Sequence, residues 1–327
     1  MIITIDTGTT NTRVSLFDDT KRVAIIKSDV GVKNTSVDGH NRRLVETISR
    51  SIAQLKQDHQ LDDQDIDAIL AAGMITSNLG LHEIPHLIAP VSLTDFAHNI
   101  RSVVLPEISR LPIHFIPGVK NLDTDNLKSV EGLDIMRGEE VEALAIASQL
   151  GINHDAIIAL PGSHSKFVSL DAKQTILGCC TTLAGELNDI ITKHTILTSS
   201  LQGRYSDTLC SKSLLEGYEA SDKYGIGHAL FSIRLNEQFA GKSHEQLASF
   251  LVGVILHSDI KALVSVPQLN FTSETQLYIG GNGILCDATA ILLSAKFPQN
   301  SVLRCNNLSD LSAQGAIYIA KKAALLP

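Results

Sequence analysis

Tryptophan is absent from the 327-residue sequence, and aromatic residues make up only 4% of it. Positive charge is also scarce, since 27 Lys and Arg residues stand against 35 Asp and Glu residues, for a net charge of −8. Because proteins grip nucleic-acid phosphates with clustered Lys and Arg side chains, this balance argues against nucleic acid as a partner. Hydrophobic residues reach 44%, so the chain can bury a sizeable core, and its length allows two domains of ordinary size.

Paired cysteines and long apolar segments are missing too. The five cysteines are odd in number and form no C-x-x-C pair, which argues against a disulfide framework or a cysteine zinc site and indicates reduced thiols. The N-terminal stretch reaches Asp6 before any long apolar run, so no signal peptide is predicted. The longest strongly apolar segment, LASFLVGVIL, is too short to span a bilayer. We therefore expect a cytoplasmic protein without a membrane partner.

A formal match to H-E-x-x-H, from His82 to His86, raises the alternative of a metallohydrolase. That motif binds zinc only in a helix, where side chains at i and i+4 share one face. Pro85 lies inside the pattern and would cost about 3 kcal/mol in a helix interior. No third ligand follows at a recognisable spacing. The sequence therefore predicts a loop, in which His82 and Glu83 either contact a substrate or face solvent.

One strand–turn–strand pattern occurs twice. The apolar run Ile2–Ile5 precedes a turn at Gly8, and the run AIIAL precedes a turn at Gly162, 162 − 8 = 154 residues later. The spacing suggests a duplicated α/β domain, with domains at 1–154 and 155–308 and a final helix at 309–327 that begins at Ser309 as N-cap. Further strands are predicted at Arg13–Phe17, Val23–Lys27, IDAILAAGM, IHFIPG, Lys166–Leu170, Gln174–Gly178, QLYI and SVLRC. Helices are predicted at Arg42–Lys56, Glu139–Leu150, Gly185–His194, Gly225–Gln238, His244–Leu256 and ILCDATAILLSA. The stretch Val119–Glu131 is predicted to be an exposed loop.

The first turn, in IDTGTTNTR, is rich in hydrogen-bond donors. A buried strand delivers Asp6 to its end, where a carboxylate can orient a hydrated Mg²⁺ ion. Gly8 permits close backbone approach, and the turn after it can wrap phosphate oxygens. The other groups of this candidate phosphate site are Thr9, Thr10, Asn11 and Arg13. The alternative is an ordinary polar hairpin.

The second turn, in LPGSHSKF, offers a similar set of donors: Gly162, Ser163, His164, Ser165 and Lys166. By itself it is also compatible with an ordinary hairpin. A third glycine-rich turn follows a predicted strand in QLYIGGNG, and there Gly280, Gly281 and Asn282 allow the backbone to approach a flat ligand. It lacks the spacing of a dinucleotide-binding G-x-G-x-x-G motif, so a plain strand-to-helix turn is the alternative.

A cluster of charged residues, GLDIMRGEE, lies at an expected strand-to-helix junction. Helix capping alone could account for Glu139 and Glu140, because the helix dipole favours carboxylates in the first turn. Asp134 and Arg137 lie among apolar neighbours at this junction, which favours a functional role for the cluster.

Taken together, these motifs resemble the 2-dehydro-3-deoxygalactonokinase family, within the superfamily of actin, hexokinase and Hsp70 ATPases. The resemblance rests on five blocks in the family's order, spread over the first two-thirds of the chain: DTGTTNTR from Asp6, AGM from Ala72, DIMRGEE from Asp134, LPGSHSK from Leu160 and AGEL from Ala184. MRGEE and PGSHSK are specific to the family, whereas D-x-G-T-T is shared by many sugar kinases.

The resemblance implies an α/β fold of two ribonuclease H-like domains with a cleft between them. It implies ATP-dependent phosphorylation of 2-dehydro-3-deoxy-D-galactonate, or a close 2-keto-3-deoxy aldonate, at its 6-hydroxyl. Asp6 would hold Mg²⁺, the two donor-rich turns would bind the phosphates, and the turn Gly280–Gly283 would lie near the adenosine. The general base would be Asp134 or Glu139, and Arg137 or Lys166 would meet the substrate carboxylate or the transferred phosphate.

Two departures from the family pattern concern the substrate. The family usually has Trp where Thr7 stands, and G-S-R-Q-G-W where this chain has Thr76–Leu81. An arginine and a tryptophan are thus missing from a segment expected near the sugar. The alternative function is a non-catalytic nucleotide-binding sensor or assembly protein of the same superfamily. Homodimerisation is compatible with the sequence.

Overall fold

The computed structural model describes residues 1–122 and 130–326, which form two compact units. The first unit comprises Met1–Asn153, Asp171–Leu177 and Asp310–Pro327. The second unit comprises His154–Leu170 and Gly178–Ser309.

The first unit is built on a six-stranded mixed sheet in the order β3-β2-β1-β4-β7-β6, beside a three-stranded sheet in the order β5-β8-β9. Strand β1 runs antiparallel to β2 and parallel to β4. The elements of this unit are β1 (Ile2–Thr7), β2 (Thr12–Asp18), β3 (Lys21–Ser28), α1 (Val32–Asp38), α2 (Arg42–Asp58), β4 (Ala68–Gly73), β5 (Leu87–Ile88), α3 (Leu93–Asn99), β6 (Arg101–Val103), β7 (Ile113–Phe115), β8 (Val119–Lys120), β9 (Ile135–Met136), α4 (Glu139–Leu150) and the last helix of the chain, α10 (Leu311–Lys322).

Apolar side chains with strand and helix periodicity form the core of the first unit. Ile3 and Ile5 alternate along β1 and are fully or almost fully buried. The predicted apolar face of α2, Leu44, Ile48, Ile52 and Leu55, belongs to the same core cluster. Because β1 is central and buried, its carboxyl end delivers Asp6 and Thr7 to the edge of the sheet.

The second unit repeats this arrangement with a five-stranded sheet in the order β12-β11-β10-β13-β14. Strand β10 runs antiparallel to β11 and parallel to β13, as β1 does to β2 and β4. Its elements are β10 (Ala156–Leu160), β11 (Ser165–Leu170), β12 (Ile176–Thr182), α5 (Ala184–His194), α6 (Ser211–Tyr224), α7 (Ile226–Ala240), α8 (His244–Ser265), β13 (Gln276–Ile279), α9 (Ile284–Lys296) and β14 (Val302–Arg304).

Helix α8 is longer than the sequence suggested. The apolar run was expected to end at Leu256 and to be too short for a membrane, but the helix continues to Ser265. With 22 residues it is long and apolar enough to cross a membrane by length and composition. Within the described residues, however, 67% of its apolar window is buried inside the protein. It is the central helix of the second unit's core, packed against α6 and α7.

Several predicted boundaries are wrong. The strand expected at Gln174–Gly178 is β12, which begins at Ile176 and runs to Thr182. Helix α10 has Asp310 at its N-cap, in a left-handed conformation and with no side-chain capping bond, so Ser309 is not the cap. Of the predicted loop 119–131, residues 119 and 120 form β8, while 123–129 lie outside the described residues. Helix α6 was not predicted at all.

Candidate active site

The first donor-rich turn joins β1 to β2 and is fastened to the start of helix α1. Gly8 N–H donates to the carbonyl of Asn11 at 2.9 Å, which closes the turn. Val32 N–H donates to the Gly8 carbonyl at 3.2 Å, and Lys33 N–H donates to the Thr9 carbonyl at 2.8 Å. Thr9, Thr10 and Asn11 are exposed, so their hydroxyl and amide groups face solvent on a fixed backbone.

Asp6 and Arg13 are cross-strand partners beside this turn. They stand opposite each other in the β1–β2 register, and the Arg13 guanidinium lies 3.3 Å from the Asp6 carboxylate. Burial raises the pKa of Asp6, while Arg13 and a hydrogen bond with Ser312 oppose that rise. The predicted metal residue is therefore a carboxylate in a partly desolvated, charged environment.

The carboxylates at the start of α4 cap their own helix. Arg137 N–H donates to Glu139 Oε2 at 3.1 Å, and Gly138 N–H donates to both carboxylate oxygens of Glu140 at 2.8 Å. Glu140 is fully buried, and burial together with the nearby Glu139 raises its pKa to about 8. Glu140 is thus a structural cap, whereas Glu139 is half-buried at the first helical position.

A further acid, Glu142, belongs to this cluster and was missed in the sequence. Burial raises its pKa to about 8, and the charges of Asp6 and Glu139 add to the rise, opposed by Arg13. The sequence could have indicated Glu142 by its spacing, because a residue three positions after Glu139 lies on the same face of the helix. The sheet edge at Asp6 therefore carries three interacting carboxylates around one guanidinium.

Asp134 bonds the backbone of its own strand region. Its Oδ1 accepts a hydrogen bond from the Ile135 N–H at 2.7 Å, and its carbonyl accepts one from Asn121 N–H at 2.9 Å. Glu139 is among the charges that shift the pKa of Asp6, Glu140 and Glu142. Of the two acids predicted as alternative bases, Glu139 thus interacts with the carboxyl group of Asp6.

Arg137 holds the loop that follows β4. Its Nη1 donates to the Thr76 carbonyl at 2.7 Å and also to the Thr76 hydroxyl. Its Nη2 donates to the Ile84 carbonyl at 3.0 Å and contacts His86 Nδ1 at 3.2 Å. Burial lowers the pKa of Arg137, and Glu140 and Glu83 oppose that change. The guanidinium predicted to contact substrate or phosphate is thus bound to one loop of its own unit.

The H-E-x-x-H segment lies in this loop and is not helical, as Pro85 predicted. Its two imidazoles do not share a helical face. His86 contacts Arg137, and burial followed by the charge of Arg137 lowers its pKa to about 4. The His82 ring packs against Phe115 with centroids 5.6 Å apart.

The second donor-rich turn, between β10 and β11, is fastened in the same way to α5. Gly185 N–H donates to the Gly162 carbonyl and Glu186 N–H donates to the Ser163 carbonyl, each at 3.1 Å. A Cβ atom at Gly185 would lie 2.4 Å from the Gly162 carbonyl oxygen, so only glycine allows this approach. His164 is bonded to Glu186 at 2.9 Å.

The two ends of this predicted phosphate site differ in exposure. Ser165 and Lys166, at the start of β11, are buried, and the Ser165 hydroxyl accepts from the Gly162 N–H at 3.3 Å. His164 is exposed, with half of its side chain accessible.

A cavity of about 480 Å³ opens beside this turn in the second unit. That volume is within the range of small-molecule sites. It is lined by the turn at Pro161–Ser163, by one side of α5 from Gly185 to Thr192, by residues 204–209, by the first half of α8 and by Asn282–Leu285. Of the third glycine-rich turn, Asn282 lines the cavity, whereas the N–H of Gly280 continues the sheet by bonding the Ala159 carbonyl at 2.9 Å. Residues 204–209 carry no motif that could have identified them.

The chain is similar in sequence to known proteins over most of its length. The sequence pattern of the family described as 2-keto-3-deoxy-galactonokinase matches residues 6–313. A protein of Rhizobium meliloti (strain 1021) assigned as a 2-dehydro-3-deoxygalactonokinase is 29% identical over 192 residues, which cover 57% of this chain and 59% of that protein. The 2-dehydro-3-deoxygalactonokinase of Escherichia coli (strain K12) is 24% identical over 299 residues, 88% of this chain and 92% of that protein.

The fold has a counterpart among solved structures. A Sinorhizobium meliloti protein assigned as a 2-dehydro-3-deoxygalactonokinase superposes with a TM-score of 0.76 at 22% identity, and the alignment covers 100% of both chains. The predicted α/β fold class, with two similar mixed-sheet units, is confirmed by the two sheets and by this superposition.

Proposed function

Because this chain belongs to the 2-keto-3-deoxy-galactonokinase family, we propose that it transfers a phosphoryl group from ATP to the 6-hydroxyl of 2-dehydro-3-deoxy-D-galactonate or a close 2-keto-3-deoxy aldonate. The observation that carries this proposal is the pairing, in the first unit, of a fixed donor-rich turn with the carboxylates of Asp6 and Glu139. Phosphoryl transfer depends mostly on positioning and charge stabilisation, and these groups supply both. A nucleotide sensor would not need a second carboxylate at that edge.

Glu139 is the general base in this proposal. The hydroxyl proton of the sugar acid passes to its carboxylate as the oxygen attacks the phosphorus. Its place at the first position of α4, next to Asp6 and Glu142, supports this role over Asp134, which bonds its own strand. The backbone N–H of Arg137 orients the Glu139 carboxylate from the side of the helix start.

Asp6 supplies the protein oxygen for Mg²⁺. Asp6 and Glu139 interact electrostatically beside the Arg13 guanidinium, and carboxylate oxygens are the ligands that suit a hard divalent cation. Among the described residues no three His, Cys, Asp or Glu side chains are arranged so that they could hold one metal ion together, so the other ligands would be phosphate oxygens and water, as is usual for Mg²⁺. When bound, the ion neutralises charge on the phosphates.

The turns at Gly8–Asn11 and Gly162–Ser165 bind phosphate oxygens, and the 480 Å³ cavity of the second unit accepts the nucleoside. Arg137 acts on the substrate through the loop at 76–86 rather than by contact, since that loop takes up its side-chain donors. The loop contains the segment that departs from the family pattern, so it is where we expect the choice among sugar acids to be made.

The test is a coupled ADP-release assay on a panel of 2-keto-3-deoxy aldonates with ATP and Mg²⁺. We expect turnover with at least one of them and loss of turnover when Mg²⁺ is chelated. Absence of turnover with every acid, at high protein and substrate concentrations, would refute the proposal. Nucleotide binding without any turnover would favour the sensor function instead.

A further inference from the structure

Arg304, at the end of β14, uses its whole guanidinium to hold the third glycine-rich turn. Nη1 donates to the Ile279 carbonyl at 2.9 Å and to the Gly281 carbonyl at 3.2 Å. Nη2 donates to the same Gly281 carbonyl at 3.2 Å and lies 3.1 Å from the Asp287 carboxylate. Nε donates to Asp287 at 3.1 Å. The guanidinium thus makes four hydrogen bonds and one further ion-pair contact, and all three of its nitrogens take part.

The turn that Arg304 holds has little rigidity of its own. Gly281 and Gly283 have φ angles of 85° and 101°, a region in which glycine is at ease but gains no fixed conformation. Other contacts hold the two ends of the turn: Gly280 N–H donates to the Ala159 carbonyl at 2.9 Å, and Cys286 N–H donates to the Gly283 carbonyl at 3.0 Å. The buried Cys286 thiol contacts the Gly280 carbonyl at 3.4 Å and the Asn282 carbonyl at 3.5 Å. The planar guanidinium of Arg304 binds the Gly281 carbonyl, in the middle of the turn, from two nitrogens and so fixes the path of the backbone there.

That path decides the shape of one wall of the 480 Å³ cavity. Asn282, Gly283, Ile284 and Leu285, which directly follow the Arg304-bound carbonyl, line it. Arg304 itself does not line the cavity, and its side chain is only 20% exposed. It also fixes the first turn of α9 through Asp287, so the turn and the helix after it are held by one side chain.

We propose that Arg304 is the positioning residue of the nucleotide site, acting on nucleotide affinity through the turn Gly280–Gly283 without touching the ligand. This inference rests on the proposed function for the identity of the ligand. Lysine cannot replace the fork, because a single ammonium cannot bind two backbone carbonyls and Asp287 in one plane. A positive charge at position 304 is therefore not sufficient to hold the turn.

The test measures ADP affinity by calorimetry for wild type, R304M, R304K and D287N, with circular dichroism as a check on folding. We expect R304M and R304K each to raise the Kd for ADP roughly tenfold or more, because charge-assisted hydrogen bonds fix the turn. D287N keeps the bonds to Ile279 and Gly281, and we expect its Kd to stay within about threefold of wild type. At saturating ATP, kcat should change much less than the KM for ATP.

Hydrogen exchange of residues 280–285 gives an independent readout. We expect residues 280–285 to exchange faster than in wild type in R304M and R304K, and at the wild-type rate in D287N. Unchanged exchange and unchanged ADP affinity in R304M would overturn the inference. Wild-type ADP affinity and wild-type exchange in R304K would overturn it as well. If wild type binds no ADP, the proposed function fails, while the exchange measurement still decides whether Arg304 fixes the turn.

Discussion

Replacing Glu140 by glutamine should remove a large part of the pH dependence of stability. The carboxyl group is fully buried, and burial and Glu139 raise its pKa from an ordinary 4.5 to about 8. A carboxyl whose pKa is higher in the folded state favours folding when protonated. Its contribution is complete below the unfolded pKa, declines as pH rises, and is lost once pH passes the folded pKa.

The size of the effect follows from the two pKa values. One pKa unit corresponds to about 1.4 kcal/mol, so the wild type should lose about 3 kcal/mol through this group between about pH 5 and about pH 8. Glutamine cannot ionise, and it keeps an oxygen that accepts from the Gly138 N–H. Loss of the second bond to Gly138 costs about 1 kcal/mol at every pH, which shifts the curve without changing its slope.

The assay is urea-induced unfolding at a series of pH values, followed by far-ultraviolet circular dichroism because the chain has no tryptophan. The free energy of unfolding of E140Q minus that of wild type should increase by about 3 kcal/mol from about pH 5 to about pH 8. E107Q makes the same chemical change at an exposed position and serves as the control. A difference between E140Q and wild type that stays constant over this range would refute the reasoning.

Three further predictions concern the site. E139Q should lower kcat by about 10²–10⁴-fold while D134N stays within about threefold of wild type, and equal kcat values for the two variants would contradict the choice of base. R137M removes the Arg137 bonds to the carbonyls of Thr76 and Ile84 and should cost about 3 kcal/mol of stability, with faster hydrogen exchange in the loop and a larger rise in the KM for the sugar acid than in the KM for ATP. G185A forces the second phosphate turn to move and should cost about 1–3 kcal/mol, whereas G227A, where a Cβ meets nothing within 4 Å, should stabilise by about 0.5–1 kcal/mol, and a comparison of their urea midpoints checks this.

Periodicity and turn chemistry were enough to predict the parts of the fold that hold the site. The apolar run of β1 and the face of α2 have unambiguous strand and helix periods, and both are buried as expected. The loop at 82–86 could be predicted because one proline excludes a helix. In each case a local rule decides the structure without help from distant residues.

Helix α8 shows where local rules stop. The run His257-Ser258-Asp259 reads as a polar end to an apolar helix, but Asp259 is buried at 3% exposure inside it, and burial raises its pKa to about 7. Only the surrounding packing makes that position helical. The roles of Arg137 and Arg304 were hidden for the same reason, because their acceptors are backbone carbonyls brought to them by the fold.

The internal repeat explains why some residues recur and others do not. Gly31 and Gly185 are 185 − 31 = 154 residues apart, as are Gly8 and Gly162, and at both helix starts a Cβ would clash with the carbonyl of the turn. At these two positions glycine therefore allows the start of the helix to lie against the turn. The chemistry is not repeated, since Leu160 stands 154 residues after Asp6 and is buried. The same fastening of a turn to a helix start thus lies beside a carboxylate in the first unit and beside a buried apolar strand end in the second.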